Sequence, residues 1–199
     1  VIKAIRDIHA TGIPISLCTA KPHFAISQII EDAGLNNLHI TDGGGVIIDP
    51  LDNKVVKKHV INSAHAKEVI DLLIDAQIYT EIYTVDDYFI QKDQISHITD
   101  QHIHILQRKP QVVDSLSSAV LHQQITKIMP IAQDEKHQQT VSQLLRPFEA
   151  RLQISWGVHP VALPLQFGIV TALGISKKEG AIEISKSTNI PLENFLGIG

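Results

Sequence analysis

The chain is poor in cysteine, methionine and tryptophan, with one of each, and only 5% of its 199 residues are aromatic. A lone Cys18 cannot form an internal disulfide, so a reducing, cytoplasmic setting is expected. Basic charge is also scarce. Seventeen Lys and Arg stand against 21 Asp and Glu, a formal net charge of -4. That balance argues against the broad basic surface of a bulk nucleic-acid binder. No apolar run is long enough to span a bilayer, so no membrane partner is expected. Internal repeats and low-complexity tracts are missing. The chain has no Ser-His-Asp order with a nucleophile elbow. No carboxylate pair stands out as acid and base. His102-Ile103-His104 reads as two surface imidazoles on one face of a strand, without further spaced ligands, and no metal-binding residue is assigned.

What is present suits a globular α/β chain. The hydrophobic fraction is 44% and the charged fraction 19%, both ordinary values. Val1, Ile2, Ile5 and Ile8 recur at helical spacing, with Gly12 where a helix stop belongs. Ile13 to Cys18 reads as a buried strand, Pro22 to Ala33 as a helix stopped by Gly34, and His39 to Thr41 as a short strand. This tight alternation of apolar strands and helices predicts a parallel sheet covered by helices.

The pattern then changes. Asp42-Gly43-Gly44-Gly45 reads as a flexible turn, and Val46 to Asp49 and Lys54 to Lys58 as a hairpin. Ala64 to Ala76 is an amphipathic helix with Ser63 as its expected N-cap. Ile78 to Ile90 is strand-like with a turn near Asp86-Asp87. Gln111 to His122 is expected to be helix, Ile125 to Ile131 strand, and Asp134 to Leu145 helix. Leu152 to Trp156 and Val161 to Thr171 read as extended, with a break at Pro164. The middle therefore reads as an α+β insert. Helix and strand return at Lys177 to Lys186 and Phe195 to Ile198. The start at Val1 inside an amphipathic pattern, and the stop at Leu196-Gly197-Ile198-Gly199, suggest a piece of a longer protein.

Two loops carry chemistry. Thr19 lies where a buried strand breaks toward a helix, with Pro22 suited to a first helical turn. Its hydroxyl and the N–H groups of Ala20 and Lys21 could hold a phosphoryl oxygen; taken alone, Thr19 reads first as a helix cap. Ser176-Lys177-Lys178-Glu179 matches a capping box, Ser at N-cap and Glu at N3. Two cations in the first turn oppose the helix dipole, which suits a nearby anion, though solvated lysines fit the position equally well. The glycines of Asp42-Gly43-Gly44-Gly45 would let backbone approach a ligand. They match no P-loop, because Lys and Ser/Thr do not follow, and a plain mobile turn is the simpler reading.

In this order, the parts resemble the haloacid-dehalogenase-like phosphatases, and within them the Cof-type branch. The resemblance covers essentially the whole chain. It implies an α/β fold: a Rossmann-like core with a parallel sheet and an inserted α+β cap domain. The expected division is 1–58 core, 59–163 cap and 164–199 core. The family's T-G-R-P loop stands here as Thr19-Ala20-Lys21-Pro22, with Ala and Lys in place of Gly and Arg. Its N-G-A turn stands as Asp42-Gly43-Gly44, placed near substrate. Its helix-starting Lys maps to Lys177, counted back from Asn189-Ile190, with Lys178 as the alternative. The family's D-x-D loop would precede Val1, and its G-D-x-x-N-D loop would begin at Gly199. The nucleophile and the Mg²⁺ ligands are therefore expected outside this chain, which alone would be inactive. For the intact protein the resemblance implies a Mg²⁺-dependent phosphomonoesterase. It would act through an aspartyl-phosphate on small phosphorylated metabolites such as sugar phosphates. In it Thr19 would bind a phosphoryl oxygen and Lys177 would stabilise the developing charge. A phosphomutase, a sucrose- or mannosyl-phosphoglycerate-type phosphatase, and a non-catalytic ligand-binding relative are the alternatives.

Overall fold

The computed structural model describes residues 1–198. Helix α1 (Ile2–His9) buries no residue fully. It leans Ile2 and Ile5 on the apolar side of α2 (Ser27–Ala33), where Ile26, Ile30, Ala33 and Leu35 pack against Val46 and Ile48. Gly34, left-handed at φ 67°, ends α2 as expected.

The expected helix from Pro22 is split. A single 3-10 turn covers His23–Ala25, and Ile26 at φ -123° interrupts before α2 begins. The expected strand from Ile13 to Cys18 is reduced to one parallel bridge, Cys18 to Ile40. Its ladder consists of Ile40 N–H to Leu17 O at 2.8 Å and Thr19 N–H to Ile40 O at 3.0 Å. Upstream of Leu17 the run has no such bonds, and Ile13 is exposed. Strands β1 (His39–Thr41), β2 (Val46–Asp49) and β3 (Lys54–Lys58) form an antiparallel three-stranded sheet in that order.

Helix α3 (Ser63–Asp75) is capped by Asn62, one residue before the expected Ser63, because its Oδ1 accepts from Ala64 N–H at 3.0 Å. Strands β4 (Tyr79–Tyr83) and β5 (Tyr88–Gln91) form the expected hairpin. His102 and His104 lie not on a strand but on helix α4 (His97–Leu106), which Ser96 and Thr99 start with a reciprocal capping box. The helix expected from Gln111 begins instead as strand β6 (Gln111–Val113), paired in parallel with β5. Helix α5 (Leu116–Ala119) follows once the Ser115 hydroxyl caps it. Strand β7 (Lys127–Ala132), helix α6 (Glu135–Leu145) and strands β8 (Leu152–Val158) and β9 (Gln166–Ala172) complete a second sheet. Its order is β6-β5-β4-β7-β9-β8. The boundary expected at 164 thus falls ahead of a strand that pairs with β7 and β8. Helix α7 (Lys177–Thr188) returns to the three-stranded half. The strand expected at Phe195 to Ile198 does not form; a 3-10 turn at Leu192–Asn194 precedes it, and Leu196 and Ile198 are exposed.

The six-stranded sheet has two unlike faces because side chains alternate along a strand. One face carries Ile82, Ile128 and Val170 against Val69, Ile70 and Leu73 of α3 and Val141 and Leu145 of α6. Each of these fully buried aliphatics stabilises the fold by about 2 kcal/mol. The other carries Tyr79, Tyr83, Met129, Ile131 and Phe167 under Ile98 and Leu106 of α4, with Phe24 leaning on the same cluster from the three-stranded half. Phe24 stacks on Tyr88 at 6.0 Å between ring centroids, and the Arg108 guanidinium lies 4.5 Å over its face. This second face looks toward the candidate site.

Candidate active site

Thr19 sits at the end of the Cys18 bridge, held by its own N–H to Ile40 O and by Gly43 N–H to Thr19 O at 3.1 Å. Its hydroxyl accepts from Lys21 N–H at 3.1 Å, the local turn that Thr forms with a residue two positions on. No helix starts at this point. Of the two amides expected to face an anion, that of Lys21 is engaged with Thr19. That of Ala20 donates to no group among the described residues. The Lys21 ammonium lies 3.5 Å from Ile105 O on α4, so this side chain reaches toward the six-stranded half.

The Asp42-Gly43-Gly44 turn is not a mobile surface turn. All three residues are buried, and all have positive φ, 50°, 69° and 109°. Asp tolerates the left-handed region better than most residues, and glycine supplies the rest. The glycines serve the fold directly: a Cβ on Gly44 would stand 2.3 Å from Ser176 O and 3.1 Å from Lys177 N. The turn backbone therefore lies on the first residues of α7. Asp42 N–H also donates to Lys21 O at 3.0 Å, stitching the turn to the Thr19 loop.

Helix α7 starts where Ser176 Oγ accepts from Glu179 N–H at 3.3 Å, the expected cap. Gly180 lets the helix settle on β1, since a Cβ there would meet Ile40 Cγ2 at 2.8 Å. Lys57 to Glu183 at 2.6 Å ties it to β3 and holds the Glu183 carboxyl below its usual range. Lys177 and Lys178 are both exposed. Cys18 Sγ lies 4.0 Å from Lys177 O. Burial pushes the Cys18 thiol up and the Lys177 ammonium opposes it. The fold thus brings Thr19, the Asp42 turn and the Lys177 end of α7 to one place.

Four further residues have no motif to mark them. Lys127, at the start of β7, is fully buried, with its ammonium 2.9 Å from Ala20 O and 3.0 Å from Asp42 Oδ1. The contact with Asp42 is an ion pair rather than a well-aligned hydrogen bond. Burial pushes the Asp42 carboxyl up, and Lys127 works against that rise. Glu81, also fully buried, accepts from His102 Nδ1–H at 2.8 Å and from the Tyr83 hydroxyl. Tyr79 donates to Thr99 Oγ1 at 3.0 Å beside the same carboxylate. Burial and the Glu81 charge push the Tyr79 and Tyr83 phenols up, so both stay protonated donors. His102, expected as a surface imidazole, is therefore a buried partner of Glu81. The available signal is charge within apolar strands, Lys127 beside Ile128 and Glu81 beside Ile82.

Between the Thr19 loop and this face lies a cleft of about 100 Å³, lined by Ala20, Lys21, His102, Lys127, His159 and Phe167 among others. Burial, followed by Lys21 and His102, holds the His159 imidazole below its ordinary value. The lining combines apolar side chains with the nitrogen-bearing groups of Lys21, His102, Lys127 and His159. Among the described residues no group of three or more His, Cys, Asp or Glu could hold a metal ion. Asp42, the carboxylate of the glycine turn, is committed to Lys127. The described residues thus do not form a Mg²⁺ cage. No helix among the described residues is long and apolar enough to cross a membrane.

Loops converging at a strand end, beside a cleft under a second sheet, occupy the place where α/β folds bind ligands. The chain belongs to the haloacid dehalogenase-like hydrolases, whose family profile matches residues 1–199. Over 81 residues it is 27% identical to Phosphatase YwpJ of Bacillus subtilis (strain 168), a match covering 41% of this chain and 28% of that protein. The chain therefore spans well under two thirds of this curated relative. Its fold is similar to that of the HAD subclass IIB sugar phosphatase BT4131, with a TM-score of 0.75 at 20% identity over 96% of this chain and 69% of that one. A haloacid dehalogenase-like hydrolase from B. subtilis superposes with a TM-score of 0.76 at 18% identity, over 96% and 73% of the two chains. BT1666 from Bacteroides thetaiotaomicron gives 0.71 at 19% identity, over 96% and 65%. These likenesses establish the α/β fold of a Cof-type member, with its Rossmann-like core.

Proposed function

We propose that this chain supplies the phosphate-holding loops and the cap of a Mg²⁺-dependent phosphomonoesterase acting on small phosphorylated metabolites, sugar phosphates foremost. The observation that carries this reading is the meeting of the Thr19 loop, the Asp42-Gly43-Gly44 turn and the Lys177 end of α7 beside a cleft. In this reading the Thr19 hydroxyl and the Ala20 amide hold phosphoryl oxygens. Lys177, rather than Lys178, neutralises the charge that grows on them, as positioned cations do in phosphoryl transfer. The Lys21 side chain, His102 and His159 face the leaving group from the cleft. The cap is assigned to 59–172, because β9 belongs to its sheet. The nucleophilic and metal-holding aspartates of the aspartyl-phosphate mechanism come from outside these residues.

The names of the relatives, one a phosphatase and one a sugar phosphatase, favour this class. The test is a screen of the protein that carries this chain, with Mg²⁺, across a panel of sugar phosphates. Turnover of at least one member, lost in Thr19→Val, is expected. Unchanged turnover in Thr19→Val would contradict the assignment.

A further inference from the structure

Lys127 is a fully buried cation on the six-stranded sheet whose ammonium reaches into the three-stranded half. A lysine is fully buried only where its charge and its three donors find partners. Here Ala20 O stands at 2.9 Å, Asp42 Oδ1 at 3.0 Å and the Tyr83 ring face at 3.8 Å. The ammonium borders the cleft, but its hydrogen bond goes to Ala20 O and its charge is met by the Asp42 carboxylate and the Tyr83 ring.

The carbonyl that Lys127 grips is one end of the Ala20–Lys21 peptide group. The other end, Lys21 N–H, donates to Thr19 Oγ1 at 3.1 Å. A peptide group is planar, so fixing its oxygen fixes the direction of its N–H. That N–H then occupies one acceptor site on Thr19 Oγ1 and leaves the hydroxyl proton free to donate. The second partner, Asp42, donates its N–H to Lys21 O at 3.0 Å, so the same ammonium steadies the loop from both sides. We propose that Lys127 is a positioning residue: from the cap sheet it orients the Ala20–Lys21 peptide, and through it the Thr19 hydroxyl that holds phosphate. It touches no phosphoryl oxygen itself. The inference rests on the phosphatase reading above. It adds that the phosphate loop is aimed only while the cap sheet is docked on it.

The experiment is a double-mutant cycle of Lys127→Met and Thr19→Val in the protein that carries this chain. It is read as kcat/KM on p-nitrophenyl phosphate and as inhibition by inorganic phosphate. Lys127→Met should lower kcat/KM by about 10- to 100-fold, the scale of a misaimed catalytic group. Phosphate inhibition should weaken with it. In the Thr19→Val background, Lys127→Met should cause little further loss, because groups acting as a unit are not additive. If Thr19→Val is impaired but the two losses multiply, Lys127 acts independently of Thr19 and the inference is overturned while the phosphatase reading stands. If Thr19→Val behaves as wild type, the phosphatase reading falls, and the inference with it. Removing one charge of a buried pair can unfold a chain. The cycle is therefore repeated with Asp42→Asn added to Lys127→Met, which leaves no orphan charge, with the same outcomes deciding. The Lys21 amide signal supplies a readout that a purely structural role would leave in place: it should shift in Lys127→Met protein that remains folded.

Discussion

The two halves of this chain solve opposite problems. The six-stranded half buries a continuous aliphatic layer, Val69, Ile70, Leu73, Ile82, Ile128 and Val170 among it, between its sheet and three helices. The three-stranded half depends on a small cluster around Ile30, Ala33, Val46 and Ile48, and α1 buries nothing fully. Yet the smaller half contains the loops proposed to hold phosphate, and its left-handed residues Asp42, Gly43 and Gly44 are buried there. Backbone strain is kept where surrounding contacts over-determine it, and such places cluster at functional sites. Here one half supplies packing, and the other supplies a backbone shape that the first holds in place through Lys127 and Phe24.

The largest expected effect separates the halves through the strained turn. Gly44→Ala would press a Cβ onto Ser176 O at φ 109°, and should destabilise by about 4 kcal/mol. Amide exchange should quicken in β1 and β2 and at the start of α7 while β4 and β7 stay protected. Uniform loss across both sheets would erase the contrast. Leu73→Ala is the converse experiment. Leu73 is fully buried in the aliphatic layer, and its truncation should cost roughly 3–4 kcal/mol. The quickened exchange should now appear in β4 and β7.

Acid should act on the three-stranded half first. His39 on β1 is buried, accepts from Leu17 N–H through Nδ1 at 3.0 Å, and leaves Nε2 without a partner among the described residues. Burial, with His23 beside it, lowers its pKa from 6.5 to about 4. Between those values the unfolded chain binds more protons than the folded one, so stability rises with pH. The contribution is full above about pH 6.5, is lost as pH falls toward 4, and is on the order of 3 kcal/mol. Denaturant titrations at several pH values should show that slope in the wild type. His39→Asn, which keeps an acceptor near the Nδ1 position, should flatten it; an unchanged slope would assign the acid sensitivity elsewhere.

The smallest effect on folding should accompany a large one on chemistry. Lys177 is exposed, so Lys177→Ala should leave the melting temperature unchanged. It should lower phosphatase turnover of the protein that carries this chain by about 100-fold. Lys178→Ala should change neither the melting temperature nor the turnover. The reverse pattern would move the site lysine to Lys178.

Much of this architecture is legible in the amino-acid sequence. Helices α3, α6 and α7 follow from periodicity and caps, and Ser176 with Glu179 marks the start of α7. The Thr19 and Lys177 loops stand out because hydroxyl and cation fall at element junctions. What stays hidden depends on distant partners. Strand β6 forms only beside β5, so Gln111-Val112-Val113 reads locally as helix. The Asp42 glycines read as a loose turn, because Ser176, which needs their missing side chains, is far along the chain. His102 and Glu81 each look out of place alone and make sense as a buried pair. Lys127 is a further case: its partner Ala20 O lies 107 residues away.

The central claim is that three separated loops make one phosphate site, and amide NMR during titration with inorganic phosphate tests it most directly. The signals of Thr19, Ala20, Lys21, Gly43 and Lys177 should move together along a single saturation curve, while those of α6 and β8 stay still. Saturable shifts confined to other residues, or separate curves for the Thr19 and Lys177 loops, would contradict it.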